Sequence, residues 1–292
     1  MTKILVTGAA GFIGSHLVNR LAKQKNLEVS VLVKPGQEKK FPNEVSLIQG
    51  DITQDLSSVK EHFNFVFHLA AYNFTHVGGT GLKDAITANA FGTANVLNSL
   101  SFDSFVYLSS ANVYDQQIEG KIDEASPANP TTDYAITKYF GELFCKRKMS
   151  EKNIIIFRST NVYGTGQPAK ALVPVWANNA LKNEPITVFR PPNKEMQLLF
   201  VDDIADAFIS VIEKNPKSSI FNLATDETIK LLSVAEKIKE KTNSSSEIKI
   251  AAEETKIQQF IDFSKARKEL GWKPKTSLDK GLQATINWIK KR

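Results

Sequence analysis

The sequence predicts an α/β protein: a doubly wound parallel sheet with helices on both faces and a smaller C-terminal lobe. Three observations predict it. Short apolar runs alternate with amphipathic stretches across the first half of the chain, the pattern of parallel strands joined by helical crossovers. The first run feeds a glycine-spaced turn, Gly8-Ala9-Ala10-Gly11-Phe12-Ile13-Gly14, and an amphipathic segment, Ser15 to Lys23, leaves it. After Gly164 the alternation stops, and Pro168, Pro174, Pro185, Pro191 and Pro192 punctuate short segments.

In order, the first strand begins at Lys3 and ends at the glycine turn. Val29–Val33 reads as the second strand and Val45–Ile48 as the third, which ends in Gly50-Asp51. Phe65–Leu69 is the fourth, ending in His68-Leu69-Ala70-Ala71. Phe105–Leu108 is the fifth, ending in Ser109-Ser110, and Ile154–Phe157 the sixth, ending in Ser159-Thr160-Asn161. Asp84–Leu100 and Tyr134–Met149 read as helices between them. Later, a helix over Asp202–Glu213 leads to a strand at Ile220–Leu223, a second helix covers Leu232–Lys241, and a last one starts near Ser277. The expected division is a Rossmann-like, dinucleotide-binding sheet domain from residues 1–164 plus 200–222, and a substrate-binding lobe from 165–199 plus 223–292. In such sheets ligands bind beyond the carboxyl ends of the strands, where the glycine and polar clusters fall.

The strand–turn–helix order gives the glycines a chemical reading. Gly8 allows a sharp turn, Gly11 allows backbone to approach a pyrophosphate, and Gly14 allows the helix to pack close to the sheet. The helix start offers unpaired N–H groups to phosphate. Tyr134 and Lys138 are spaced i, i+4 and share a helix face. A lysine cation beside a phenol, with a positively charged nicotinamide, favours phenolate, so the pair can exchange a proton with an alcohol. Ser110, at a strand end, can hydrogen-bond the same substrate oxygen.

Composition excludes several classes. With 292 residues, 42% of them hydrophobic and 23% charged, the chain has ample core for a globular protein. The net charge of +6 comes without a dense basic stripe interleaved with aromatics, so no nucleic-acid partner is expected. No apolar run is long enough to cross a bilayer, so no membrane partner is expected either. A first strand beginning at Lys3 leaves no room for a signal peptide, and the one cysteine, Cys145, fits a reducing compartment; the expected location is cytoplasmic. His16, His62, His68 and His76 lack ligand-like spacing, so no metal is expected, and His68 reads as structural. Trp272 and Phe200 read as packing residues, and Cys145 as a small buried hydrophobe.

These motifs together resemble the extended short-chain dehydrogenases/reductases, in the NAD(P)-dependent nucleotide-sugar epimerase/dehydratase group. The resemblance runs through Thr7–Gly14, Gly50-Asp51-Ile52, His68–Ala71, Asn89-Ala90-Phe91-Gly92-Thr93, Ser109–Tyr114, Tyr134–Lys138, Arg158–Gly164 and Ser264–Pro274, essentially the whole chain. It implies that Ser110, Tyr134 and Lys138 are catalytic, with Lys138 also on the nicotinamide ribose. It implies cofactor contacts from Gly8, Gly11, Phe12, Ile13, Gly14, Asp51, Ile52, Leu69, Ala70, Ala71 and Asn89. It implies substrate contacts around Ser110, Ala111, Asn112, Tyr134 and Asn161, the last on phosphate, and a homodimer built partly on the helix of Tyr134 and Lys138.

Three departures refine this. The second strand ends in Val33-Lys34, without the carboxylate that binds the adenosine ribose of NAD, and Lys34 could pair with a 2′-phosphate; the expectation leans to NADP. Ala111-Asn112 replaces the Asp-Glu pair of the group's 4,6-dehydratases, and neither residue can do that proton work, which argues against dehydration. Met196-Gln197 stands where many relatives carry Arg-Asp, the Arg gripping the substrate diphosphate; Arg190 and Lys194 are candidate replacements. The expected activity is hydride transfer at a sugar carbon, C4, of a nucleotide sugar, as 4-epimerase or 4-ketoreductase. A reductase of a small non-nucleotide carbonyl and a dinucleotide-sensing regulator remain as alternatives.

Overall fold

A computed structural model of the protein describes residues 1–37, 41–73 and 81–292. Its strands are β1 (Thr2–Thr7), β2 (Leu27–Val33), β3 (Val45–Gln49), β4 (His62–His68), β5 (Ser101–Ser110), β6 (Gly120–Ile122), β7 (Asn153–Ser159), β8 (Asn161–Tyr163), β9 (Ile186–Val188), β10 (Glu195–Met196), β11 (Leu198–Phe200), β12 (Ser219–Leu223), β13 (Ile229–Lys230), β14 (Ile248–Ile250) and β15 (Gln259–Ile261). Its helices are α1 (Phe12–Leu21), α2 (Leu82–Ala85), α3 (Thr93–Ser99), α4 (Asp133–Lys148), α5 (Leu172–Leu181), α6 (Val201–Lys214), α7 (Leu231–Thr242), α8 (Ser264–Leu270) and α9 (Leu278–Lys290).

Seven strands form one parallel sheet in the order β12-β7-β5-β4-β1-β2-β3. β1 lies between β2 and β4, so the strand order reverses there and opens a crevice at the carboxyl edge. The inner strands read as unbroken apolar runs because both faces are covered. Alternate residues serve opposite cores: Ile4, Val6, Phe65, Phe67, Val106, Ile155 and Phe157 meet α1 and α6, whereas Leu5, Val66, Phe105, Tyr107, Ile154 and Ile156 meet α3 and α4.

The expected helix over 84–100 is one continuous rod from Leu82 to Ser99, but its middle, Ile86–Gly92, is a π segment. Such wide turns gather at functional sites, and this one carries Asn89. The second lobe encloses its own core, with Trp176, Val188, Phe200, Val234, Leu282 and Ile286 from α5, α7, α9, β9 and β11. The segment around α8 departs from the expected partition: Phe263, Ala266, Leu270 and Trp272 join the core of the sheet domain. Trp272 Nε1 donates to Asp203 O at 2.8 Å, and the Asp203 carboxylate receives the N–H groups of Lys275 and Thr276.

Among the described residues no helix is long and apolar enough to cross a membrane, and no group of three or more His, Cys, Asp or Glu could hold a metal ion. His76 lies outside the described residues.

Candidate active site

The glycine turn joins β1 to α1. Gly8 has a φ of +71°, and a Cβ there would lie 2.5 Å from Ala70 N at the end of β4. Only glycine meets both demands. A Cβ on Gly14 would lie 2.2 Å from Gly8 O and 2.9 Å from Ala9 Cα. Gly14 therefore packs against the turn itself, not against the sheet as its place in the motif suggested. Gly11 begins α1 with no side-chain cap, and no acidic residue sits in the first turn. Those N–H groups and the positive end of the helix dipole suit a diphosphate.

Gly8, Gly11, Phe12, Ile13 and Gly14 line a cavity of about 660 Å³ together with Leu69, Ala71, Ser110, Asn112, Tyr134, Lys138 and Asn161. The ends of β1, β4, β5 and β7 and the helix α4 thus converge where the sheet topology opens its crevice. α4 reaches the site because Gly141 lets it lie on β5: a Cβ there would come within 2.2 Å of the Tyr107 hydroxyl. That hydroxyl donates to Lys138 O at 3.2 Å, and Lys138 Nζ stands 4.2 Å from the Tyr107 ring centroid. Thr132 caps the helix by accepting from Ala135 N. Ser110 Oγ accepts from Asn112 N at 3.2 Å, which leaves its proton to be donated to a ligand.

Burial dominates the electrostatics. It pushes the Tyr134 phenol up to about 12. It brings the Lys138 ammonium down to about 7 against the pull of nearby Glu142. The expected lowering of the phenol by Lys138 is thus absent from the pair alone, because a dry cavity disfavours both charged forms. The imidazole of His68 is buried and driven down to about 3, so it is neutral. Its Nδ1 lies 2.7 Å from Thr7 Oγ1 and its Nε2 3.0 Å from Thr93 Oγ1. Thr93 gives its proton to Asn89 O, so we assign the His68 proton to Nε2. His68 is structural: it ties β1 and β4 to α3.

Other expected contacts lie outside the cavity wall. Asn89 is fully buried; it bonds both backbone groups of Tyr72 and donates to Thr137 Oγ1 on α4 at 2.9 Å. It positions α4 and has no open face toward a cofactor. Ala111 is buried in the core, Ala70 N donates to Thr7 Oγ1, and Ile52 packs under Gly92. Lys34 and Asp51 meet at the β2–β3 edge, Nζ to Oδ2 at 2.9 Å.

On the outer wall, Gln197 is buried and clamps two segments, donating to Thr225 O and Ile261 O and accepting from Ile261 N. Lys194 Nζ donates to Ile257 O at 3.1 Å. Of the two candidate replacements for the missing Arg, Arg190 is the one that lines the cavity, beside Met196. The sequence reading overlooked Gln167, whose Nε2 donates to Val162 O while its Oε1 is a buried acceptor without a partner among the described residues. It also overlooked the ion pair behind α4, where Arg158 donates to both Glu142 oxygens at 2.9 and 2.6 Å and Ser109 adds a third bond. No spacing rule connects those residues; their polarity in apolar surroundings was the one available signal.

A family model described as the NAD dependent epimerase/dehydratase family matches residues 4–224. The chain belongs to this family. A putative UDP-glucose 4-epimerase of Methanocaldococcus jannaschii is 30% identical over 98% of both chains. The dTDP-D-glucose 4,6-dehydratase of Mus musculus is 27% identical over 99% of this chain and 89% of its own. Among solved structures, the UDP-glucuronic acid 4-epimerase from Bacillus cereus, in complex with UDP-glucuronic acid and NAD, matches with a TM-score of 0.89 at 27% identity over 99% of each chain. The UDP-glucose 4-epimerase of Thermotoga maritima with UDP-glucose matches with a TM-score of 0.89 at 25% identity, again over 99% of each. For this family member, the convergence of glycine turn, Ser110, Tyr134 and Lys138 describes a site able to hold a dinucleotide beside an alcohol or ketone.

Proposed function

We propose that the protein is a nucleotide-sugar 4-epimerase. One observation carries the reading: Ser110, Tyr134 and Lys138 share a cavity with the glycine turn, while Ala111-Asn112 beside Ser110 offers no acid–base pair for eliminating a 6-hydroxyl. The likeness to 4-epimerases supports it. The glycine turn fits a dinucleotide diphosphate, with uncapped N–H groups at α1 and no side chain in the way at Gly11. A bound oxidised nicotinamide supplies a hydride acceptor and a positive charge that favours the Tyr134 phenolate. Tyr134 then takes the proton of the C4 hydroxyl, and Ser110 donates a hydrogen bond to the same oxygen. Lys138 Nζ stabilises the phenolate and holds the nicotinamide ribose. After the keto-sugar turns over, the hydride would return to the opposite face of C4 while Tyr134 gives the proton back to the oxygen. Asn161 and Arg190 meet the substrate diphosphate.

The protein is also a homodimer in this reading. Phe91 is 64% exposed, Phe140 45% and Leu143 43%, on the adjacent π segment and α4, and burial against a second copy would cover them. Light scattering of the native protein and of Phe140→Glu tests this: a monomeric wild type overturns it.

Purified protein, given UDP- and dTDP-sugars without added cofactor, should invert C4, followed by NMR. A 4-keto-6-deoxy product would make it a dehydratase. A stoichiometric need for NAD(P)H would make it a ketoreductase.

A further inference from the structure

We propose that His16 is held as an imidazolium and acts as a positioning residue, clamping the outer wall of the cavity to the helix that follows the glycine turn. This rests on the epimerase reading, in which a nucleotide sugar lies against that wall.

Both ring nitrogens of His16 face oxygen acceptors. Nδ1 lies 2.7 Å from Asp202 Oδ1 at the start of α6, and Nε2 lies 2.8 Å from the carbonyl oxygen of Thr165. A neutral imidazole has one N–H and one lone pair, so it serves only one of these partners and sets a lone pair against the other. The Thr165 hydroxyl, 3.5 Å from Nε2, is too distant to make up for that. His68 shows the contrast: its two partners are hydroxyls, which either give or take a proton, and it stays neutral.

The charges around the ring support its second proton. Asp202 and Asp206 come from α6, Arg20 and Lys23 from α1, and the Gly164–Gly166 turn brings none. Asp206 is taken up by Arg20 and by Lys275, 3.0 Å away, which leaves Asp202 to His16. Arg20 Nη2 stands 3.8 Å from the second oxygen of Asp202. Asp202 also lies in the first turn of α6, where the helix dipole favours a carboxylate. The hydrogen bond from His16 does most to hold the Asp202 carboxyl below its ordinary value against burial, with Arg20 adding to it.

The clamp reaches the wall through one turn of chain. Phe12 lines the cavity and packs edge-on against the His16 ring, with centroids 6.0 Å apart. The turn sits on both: a Cβ on Gly166 would lie 3.6 Å from His16 Nε2 and 3.8 Å from Phe12 Cδ2. The chain then runs directly into Gln167, Pro168, Ala169 and Lys170 of the wall. With the clamp made, the wall is ordered before substrate arrives. Without it, binding must supply that ordering, which raises KM and leaves the chemical step alone. Because the second proton makes the clamp, it holds at low pH and is lost as pH rises through deprotonation of the ring.

The test uses full-length wild type, His16→Gln and Asp202→Asn, with thermal melts to verify folding. Nitrogen NMR of the imidazoles, with His16 assigned from its absence in His16→Gln, should show both of its nitrogens protonated at about pH 7. His16→Gln should raise KM for a UDP- or dTDP-sugar about tenfold, with kcat changed less than about threefold. The wild-type KM should climb as pH is raised above neutrality. That climb should be missing in His16→Gln and should begin at a lower pH in Asp202→Asn, which keeps the ring and removes the charge that holds its proton. A neutral ring at about pH 7, an unchanged KM in His16→Gln, a fall in kcat as large as the rise in KM, or a climb in Asp202→Asn that begins no earlier overturns the proposal. Where His16→Gln fails to fold, the pH shift in Asp202→Asn decides. Should no nucleotide sugar be turned over, the epimerase reading fails and trypsin decides the clamp: cleavage after exposed Lys170 should be about tenfold faster in His16→Gln, and an equal rate overturns it.

Discussion

The floor of the cavity and its outer wall are built on different principles. The floor consists of strand ends and α4, and its polar groups answer one another inside the protein: Thr7, His68 and Thr93; Asn89 and Thr137; Ser109, Glu142 and Arg158. The outer wall, from Gln167 to Val173 and at Arg190 and Met196, is largely loop. It presents exposed Lys170 and Arg190, and at Gln167 a buried acceptor with no partner among the described residues. Proton transfer needs reacting groups held within a fraction of an ångström, which rigid elements with locked partners provide. A substrate wall can change residue by residue without disturbing the sheet. The departure at Met196-Gln197 falls on that wall, while those at Val33-Lys34 and Ala111-Asn112 lie at the ends of β2 and β5.

That contrast can be broken at several points. The largest effect belongs to Tyr134→Phe, which should lower kcat by about 10³ with dinucleotide affinity nearly unchanged. Undiminished turnover would remove the floor as the chemical centre, whereas unchanged biological activity with intact dinucleotide binding would favour a dinucleotide sensor.

Next is Arg158→Met, which takes the two-pronged guanidinium from the buried Glu142 carboxylate and leaves it Ser109 and, at 3.3 Å, Lys146. The expected cost is about 3–5 kcal/mol in denaturant unfolding, and Glu142→Leu added to it should recover most of the loss. A loss below about 1 kcal/mol would show that this pair does not rigidify the floor.

On the outer wall, Arg190→Ala should raise KM for a nucleotide sugar about tenfold with kcat little altered, because a charge-assisted phosphate bond is removed. Lys194→Ala should leave KM near its original value, since that ammonium already donates to Ile257 O. Equal effects from both would erase the distinction drawn between them.

The remaining test is the pH dependence of stability without ligand. Lys138 titrates at about 7 when folded and near 10.5 when unfolded, so between those values the unfolded chain binds more protons. Stability therefore rises with pH across that window, and Lys138→Met should flatten the rise in thermal melts. An identical slope in the variant would mean that the floor is wetter than its burial implies.

The resemblance between expected and observed elements is close where periodicity is strong. Each expected strand of the central sheet is present, but the ends extend beyond the apolar run: Phe105–Leu108 is the middle of Ser101–Ser110. Ser101, Ser104, Ser109 and Ser110 carry no apolar signal, yet they continue the backbone ladder. The π segment escaped notice because its period differs too little from that of an α-helix over seven residues. In the site, Tyr134 and Lys138 were legible because i, i+4 spacing is a local property of a helix.

What followed from the chain alone is therefore what short-range geometry dictates: strands from apolar runs, the turn from Gly8, Gly11 and Gly14, and one shared face for Tyr134 and Lys138. The partners of Lys34, Glu142 and Gln197 needed the fold, because each pairing joins segments that packing brings together across different elements. Charge state depended on the fold as well. A phenol and an ammonium carry ordinary affinities for protons in water, and only enclosure in a common dry cavity drives Tyr134 up and Lys138 down.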